Sequence, residues 1–508
     1  MATHGFWRAA AARPEHPAVI EASGTVTTYG ALRERVDRLS HVLRDRGTGT
    51  NSTVSVLLPN GVELLALQLA ALQIGANFTP VNRHLTAGET AYILQDSNAT
   101  VFVSHERYAK VARHSADEAG IPERGRLSVG TVDGFAGLSG LGKQFSGPVT
   151  DRTAGALLYY SSGTTGRPKG IRRQLTGLSP EEDARNQLDA MFGVFGLGPD
   201  DVNLSLAPLY HAAPNSMALL SLHAGNTVVL AERFDPEQSL ALAEKHRVTW
   251  GFLVPTMFHR WLALPESVRR SYDLSAFRTM LHSGAPCPVE TKRALIDWLG
   301  PVPIEFYGST ESGMVAMIRA EEWAEHPRSV GQALPGKEFK IFDEEGNELP
   351  AGEPGLIHVR GSRPFDYLGD AARTASCRRG DFYAPGDIGY LDADGRLFMC
   401  DRRTDLIISG GVNIYPAEIE GELLQHPAVS DAVVIGVPHP EWGHTVTALV
   451  SLYPGHSVTP EELEAHSRDR LAGFKVPRRI EFREEIPRTA AGKINRGRVR
   501  EEYLARAV

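Results

Sequence analysis

Ten residues at 161–170, SSGTTGRPKG, hold three glycines, four hydroxyl side chains, an arginine and a lysine. So little side-chain bulk exposes the backbone N–H groups, and the following cations add positive charge. Together they suit an anionic, oxygen-rich group, most obviously a phosphate chain. The candidate phosphate-holding residues are Ser161, Ser162, Gly163, Thr164, Thr165, Gly166 and Lys169. A Walker A loop needs a glycine, four residues, then Gly-Lys-Ser/Thr. Five residues on from Gly163 stands Pro168, and from Gly166 stands Ile171, which excludes a conventional P-loop ATPase. Composition alone leaves a Ser/Gly linker equally open.

The elements that must position this loop argue for the ligand. ALLYY at 156–160 reads as a strand, which puts the glycines at a strand's C-terminal end, where open α/β sheets bind ligands. Around it strands and helices alternate. Apolar runs at 53–58, 99–104, 154–160, 202–207, 226–231, 248–254, 279–283 and 303–307 read as strands. Helices are expected at 62–75 (amphipathic), 184–196, 214–224, 236–246, 255–264 and 288–299, with the N-terminal twenty residues supplying the first helix. Apolar runs without polar alternation indicate strands covered on both faces, hence largely parallel α/β sheets. From about 337 the texture changes to short strands around Gly, Asn and Pro turns, with a hairpin expected in GYLDADGRLFMCDR at its Asp-Gly turn. After Arg402 a small α+β unit begins: a strand at 406–408, a Gly-Gly turn, a helix at 416–427 and strands at 431–437 and 445–452.

At 508 residues the chain exceeds a single core, and two or more domains are expected. A net charge of −8 gives no basic footprint, which argues against nucleic acid as a partner. The three cysteines, Cys287, Cys377 and Cys400, are far apart and form no CxxC pair, as in a reducing compartment. The N-terminus lacks the continuous apolar core of a secretory signal, and the apolar run 62–76 is too short to span a bilayer. A cytoplasmic protein with no transmembrane segment is expected.

The loop has companions: HSGAP (282–286), EFYGSTES (305–312), GDIGYLDADG (386–395), DRRTDLIISGGVNIYPAEIE (401–420) and PRTAAGKINR (487–496). With YYSSGTTGRPKG these six motifs, in this order over nearly the whole chain, resemble the adenylate-forming superfamily of acyl- and aryl-CoA synthetases, peptide-synthetase adenylation domains and luciferases. Within it the likeness is closest to bacterial fatty-acyl-CoA ligases. The resemblance implies an N-terminal AMP-binding domain over 1–402 and a mobile C-terminal AMP-binding domain over 403–508. The former is expected to stack mostly parallel sheets with helices and to carry a small antiparallel barrel-like subregion. The implied reaction joins a carboxylate to ATP, giving an acyl-adenylate and pyrophosphate, and then transfers the acyl group to CoA.

By the same resemblance, the phosphate loop takes the β- and γ-phosphates. Gly284, Ala285 and Pro286 form an adenine wall, Tyr307 stacks on the base, and Glu305, Phe306, Gly308 and Ser309 count among the nucleotide-binding residues. Thr310 bonds the α-phosphate and Glu311 binds Mg²⁺, while Asp387 accepts from the ribose hydroxyls beside Arg402. Lys493 bridges the acid and the α-phosphate, and Gly410 and Gly411 approach the thiol's tunnel after domain rotation about Thr404, with Asp405 sharing the hinge. Thr404 stands where many relatives carry Asp or Lys, Asp401 where glycine is common and Ser409 where lysine is frequent.

The acid pocket is expected from His211, Ala212, Phe252, Ser283, Gly308, Gly313 and Met314, with Ala213, Met217, Met257, Phe258, Val315, Ala316 and Met317 near it. His211 occupies the position where amino-acid-activating relatives place an aspartate, which argues against an α-amino acid. The apolar, methionine-rich lining suits an aliphatic or aromatic acid. Arg319 follows it and is expected to face solvent. A homodimer is admitted. Two rival readings stay open: an adenylating enzyme serving a carrier protein or an amine, or activating a small inorganic acid such as nitrite; and a non-catalytic nucleotide-binding regulator.

Overall fold

The computed structural model describes residues 5–161, 168–402, 405–409, 412–439, 442–471, 473–488 and 494–507. Packing divides the chain into two compact units. The first comprises Met1–Leu253, Leu264–Leu281 and Arg363–Ser376; the second comprises Val254–Ala263, His282–Ser362 and Cys377–Val508. Both sides of the boundary expected between 402 and 403 lie in the second unit, and that boundary remains a proposal.

The first unit holds two parallel sheets. In one, Thr53–Leu57 lies between Asn77–Pro80 and Ala99–His105, with Ala156–Leu157 and Arg126–Val129 outside them. In the other, Thr227–Leu230 lies between Pro17–Glu21 and Val202–Ser205, and Trp250–Leu253 follows on the far side of Val202–Ser205. The N-terminal stretch is a short helix, Phe6–Ala12, and then a strand, Pro17–Glu21, rather than one helix. Pro14 and Pro17 end the helical run, because proline lacks the N–H that a continuing helix needs.

The expected amphipathic helix is observed at Val62–Leu72, but it is buried on all sides except at Glu63. Its polar groups are satisfied inside the protein. Gln68 exchanges hydrogen bonds with Asn215, and Gln73 donates to Asp37 and Ser40. A helix that is apolar nearly all round belongs in a core, not on a surface.

The second unit is antiparallel from its first long strand, earlier than the sequence pattern suggests. Pro303–Ser309 pairs with Gly313–Arg319, then Ser329–Ala333, Leu397–Arg402 and Asp387–Leu391 follow, each antiparallel to the last. The hairpin expected at the Asp-Gly turn is present, with Leu391 opposite Leu397. Farther along, Val429–His439 and Gly443–Leu452 form a long antiparallel pair, and Arg479–Phe482 joins the latter strand in parallel. The Pro416–Leu423 helix contributes Ile419 and Leu423 to the apolar cluster packed against these strands. The same helix supplies Glu422, whose carboxylate pairs with Arg328 at 2.6 Å. Tyr453 bonds and stacks on His259, 3.0 Å from hydroxyl to ring nitrogen.

The N-terminal helix depends on one neutral imidazole. The Phe6 N–H donates to Nδ1 of buried His223 at 3.2 Å, and burial pulls the His223 pKa down to about 4 from the ordinary 6.5. The unfolded chain therefore binds a proton near pH 6.5 that the folded chain refuses until about pH 4. The contribution is whole above pH 6.5 and is lost as pH falls through that window, up to ~3 kcal/mol. Urea-unfolding midpoints measured from pH 7 to pH 4 should fall accordingly, and His223→Leu should flatten the decline.

Candidate active site

In the first unit the strands on either side of the glycine-rich segment pair with each other. Tyr159–Ser161 pairs with Lys169–Arg173, with Ser161 opposite Lys169. Phe365–Tyr367 adds on the other side of Lys169–Arg173. This corrects the expectation of a loop at the C-terminal end of a parallel strand. The run 154–160 breaks at Leu158: Ala156–Leu157 stays in the parallel sheet, and the chain after it returns along KGIRR. Ser162, Gly163, Thr164, Thr165 and Gly166 lie outside the described residues, as does the side chain of Ser161. Lys169 is described, and its ammonium lies 3.6 Å from Asp370. The Arg373 backbone N–H and then this ammonium hold the Asp370 carboxyl below the usual carboxylate range.

His211 caps the Ala212–Ala224 helix, with its ring 4.5 Å from that of Tyr210. Along the helix Asn215 is fully engaged. Its amide donates to Gln68 and to the Leu209 carbonyl, and its oxygen accepts from Gln68 and from Tyr159. Phe252 and Met217 are buried, and Ala212 is half-buried.

In the second unit the YGSTE segment closes the hairpin of Pro303–Ser309 and Gly313–Arg319, with Ser309 opposite Gly313. Residues 310–312 form a three-residue connection that ends on Gly313 at φ 67°, where a glycine suits the left-handed turn. Ser309 and Ser312 lock it by reciprocal backbone-to-hydroxyl bonds of 3.1 Å. Thr310 and buried Glu311 are thus carried on a braced turn. Gly308 has a packing reason to be glycine: a Cβ there would stand 2.1 Å from the Gly313 carbonyl oxygen.

The structure brings three of the expected nucleotide residues together. The Tyr307 hydroxyl donates to Asp387 Oδ2 at 2.6 Å, both residues being buried. Asp387 in turn lies opposite Arg402 in the strand register, the Arg402 side chain lying outside the described residues.

The Glu305 side chain is engaged within the protein. Its carboxylate accepts from buried Lys292 at 2.7 Å, and the Lys292 ammonium sits 4.6 Å over the Trp323 ring. The side chain is therefore committed to a buried ion pair. Nothing in the sequence marked Lys292, since one lysine on a helix reads as a surface residue. Its neighbour His282 packs edge-on against Phe258 and is wholly buried. Phe306 is buried as well, while Val315 and Ala316 belong to the core cluster around Tyr307. Met314 and Met317 are half-buried, and Arg319 is exposed. Ser283 and Ala285 are half-buried, and Gly284, at φ 90°, and Pro286 are exposed.

Thr404, Gly410, Gly411 and Lys493 lie outside the described residues. Their flanks are described. Arg496 forms a two-pronged pair with Glu420, at 3.0 and 3.2 Å, and its Nε lies 3.7 Å from Asp405.

The comparisons bear on what such an arrangement serves. Residues 6–366 match the model of the AMP-binding enzyme family, and 418–493 match the AMP-binding enzyme C-terminal domain. The chain belongs to the AMP-binding enzyme family. This AMP-binding enzyme is 36% identical to a feruloyl-CoA synthase of an Amycolatopsis species, over 98% of this chain and 99% of that one. It is 31% identical to an indoleacetate–CoA ligase of Aromatoleum aromaticum, over 93% and 92%. Among solved structures it resembles an amide bond synthetase of Marinactinospora thermotolerans, with a TM-score of 0.84 at 30% identity over 96% and 97% of the chains. The family is adenylate-forming, with acyl-CoA ligases among its members, and its architecture is the expected one, a large N-terminal domain of sheets and helices with a small C-terminal domain.

No helix among the described residues is long and apolar enough to cross a membrane. None of them form a cluster of three or more His, Cys, Asp or Glu able to hold a metal. A single buried carboxylate, Glu311, beside hydroxyls suits a cation that keeps water and phosphate ligands rather than one caged by protein.

The braced turn is testable. Gly308→Ala forces the hairpin apart at Gly313 and displaces Thr310 and Glu311. ATP–pyrophosphate exchange should fall at least about tenfold, equivalent to ~1.4 kcal/mol of barrier. Unchanged exchange would show that the turn's position does not matter to the chemistry.

Proposed function

We propose that this enzyme joins a compact aryl acid to CoA through an acyl-adenylate. The hydrogen-bonded pair of Tyr307 and Asp387, opposite Arg402, carries the nucleotide side of the reading. It offers an aromatic face to a base and a buried carboxylate to ribose hydroxyls. On the acid side, apolar Phe252, Met217 and Met314, with His211 where a carboxylate would hold an ammonium, favour an uncharged body. The aryl acids in the names of the feruloyl and indoleacetate relatives support a ring over a long chain.

The acid is ionised near neutrality, so adenylation calls for no general base. One carboxylate oxygen attacks the α-phosphorus and pyrophosphate leaves with its bonding electrons. The difficulty is the approach of two anions. In this reading Lys169 and the loop N–H groups hold the β- and γ-phosphates, Thr310 holds the α-phosphate, and Lys493 spans the acid and the α-phosphate. Each well-placed donor contributes roughly 3–4 kcal/mol. Glu311 would hold Mg²⁺, which when bound neutralises part of the triphosphate's charge. The CoA thiol gives up its proton to water, its sulfur attacks the acyl carbon and AMP leaves with the electrons of the acyl–oxygen bond, with residues 403–508 rotating near Thr404 so that Gly410 and Gly411 line the thiol's approach.

One observation favours a second acceptor. The likeness to an amide bond synthetase raises the reading that an amine takes the acyl group instead of CoA. Incubating the protein with ATP, a panel of aryl acids and either CoA or an amine decides between them by product.

Lys493→Ala should nearly abolish adenylate formation yet leave thioester formation from supplied acyl-adenylate close to the native rate. Equal loss of both half-reactions would remove Lys493 from its assigned place.

A further inference from the structure

Beyond the Phe365–Tyr367 strand the chain keeps to the edge of Lys169–Arg173, where the Leu368 N–H donates to the Gly170 carbonyl at 2.8 Å. It then turns at Asp370, which is fixed on several sides. The Asp370 N–H donates to the Tyr367 carbonyl at 3.1 Å, and its own carbonyl accepts from the Thr374 N–H and hydroxyl at 3.0 and 2.9 Å. One carboxylate oxygen, Oδ1, accepts from the Arg373 N–H at 2.9 Å, as a cap of the Ala371–Ser376 helix does. The Arg373 guanidinium lies 4.9 Å over the Tyr367 ring and closes the turn. The other oxygen, Oδ2, is the one that faces Lys169.

These two charges are close without being locked. At 3.6 Å the pair is longer than a hydrogen bond, whereas Lys475 sits 2.7 Å from both oxygens of Glu418. The Lys169 side chain is 18% exposed and that of Asp370 42%, so the ammonium is the more withdrawn partner. Among the described residues no other acid pairs with it. An ammonium drawn out of water needs an opposite charge beside it. Asp370 supplies that charge from a braced turn, through a contact loose enough to be given up.

We propose that Asp370 is a positioning residue for Lys169: it holds the ammonium beside the glycine-rich segment while no phosphate is there, yields it to an arriving triphosphate, and takes it back as pyrophosphate leaves. This rests on the reading that Lys169 holds the β- and γ-phosphates, and deepens it. A triphosphate carries more charge than one carboxylate and wins the ammonium from it. Because the carboxylate competes for the same cation, it weakens phosphate binding and eases the departure of the product.

Pyrophosphate with Mg²⁺ should be titrated calorimetrically into the full-length protein. Asp370→Asn keeps an oxygen for the helix cap and removes the charge. It should bind pyrophosphate about three- to fivefold more tightly than native protein, the upper range for a partly exposed ion pair. The KM for ATP should fall with it, and pyrophosphate should inhibit turnover more strongly. Asp370→Ser also caps without a charge, and it decides the matter if the first variant melts early. Asp366→Asn is the control. Its carboxylate lies 3.9 Å from Arg172 on the same pair of strands. Lys169 is three residues farther along, about 10 Å, where a surface charge is largely screened. The control should therefore leave affinity unchanged. Native-like or weaker binding by the Asp370 variants, or an equal gain from Asp366→Asn, would overturn the proposal. Pyrophosphate binding unaffected by Lys169→Met would instead overturn the phosphate-holding reading on which it stands.

Discussion

The bond from the Tyr307 hydroxyl to the Asp387 carboxylate ties together two hairpins that are eighty residues apart in sequence. It is a buried, charge-assisted hydrogen bond, stronger than one between neutral groups because the acceptor carries the charge. Tyr307 lies two residues before the end of the strand that runs into the Thr310–Glu311 turn, and Asp387 begins the strand whose partner ends at Arg402. Each hairpin takes its register from its own backbone ladder, and this contact ties the two together beside the Thr310–Glu311 turn and Arg402. Losing either partner would leave the other buried without its bond, a larger penalty than the bond's own net contribution.

Around that bond the protein accepts several costly interior groups. Lys292 and Glu305 are both withdrawn from water, and the ammonium also rests on an indole ring. Such a pair adds little net stability over apolar residues of the same shape, yet breaking it is severe. Its place, on the same strand as Tyr307 and two residues before it, favours a role in holding that strand against the Val289–Leu299 helix.

Much of the fold was legible because burial on both faces leaves an unmistakable apolar run. The strands at 53–57, 202–205, 227–230 and 250–253 show it, and the hairpin at the Asp-Gly turn follows from turn chemistry. The reading was silent over the Tyr29–Asp45 helix, although Thr28 caps it through the Ala31 N–H. It also merged Phe6–Ala12 with the strand after it, because propensity does not register which prolines a fold will use as stops. The motif residues Tyr307, Asp387 and Arg402 were singled out by the family resemblance, and folding brings Tyr307 and Asp387 into contact. The ion pair of Glu305 was not legible, since a motif does not say which way a carboxylate points. Lys292 left no trace in sequence, because its meaning lies in what surrounds it after folding.

The two-pronged grip of Arg496 on Glu420 has a mechanical corollary for Lys493. Only three peptide units separate the lysine from that anchor, a leash of about 10 Å at full extension. A charge so tethered cannot be delivered over long range by uncoiling alone. In the proposed reaction the cation would therefore travel with the Pro416–Leu423 helix as cargo, and its arrival and departure would be timed by that larger body.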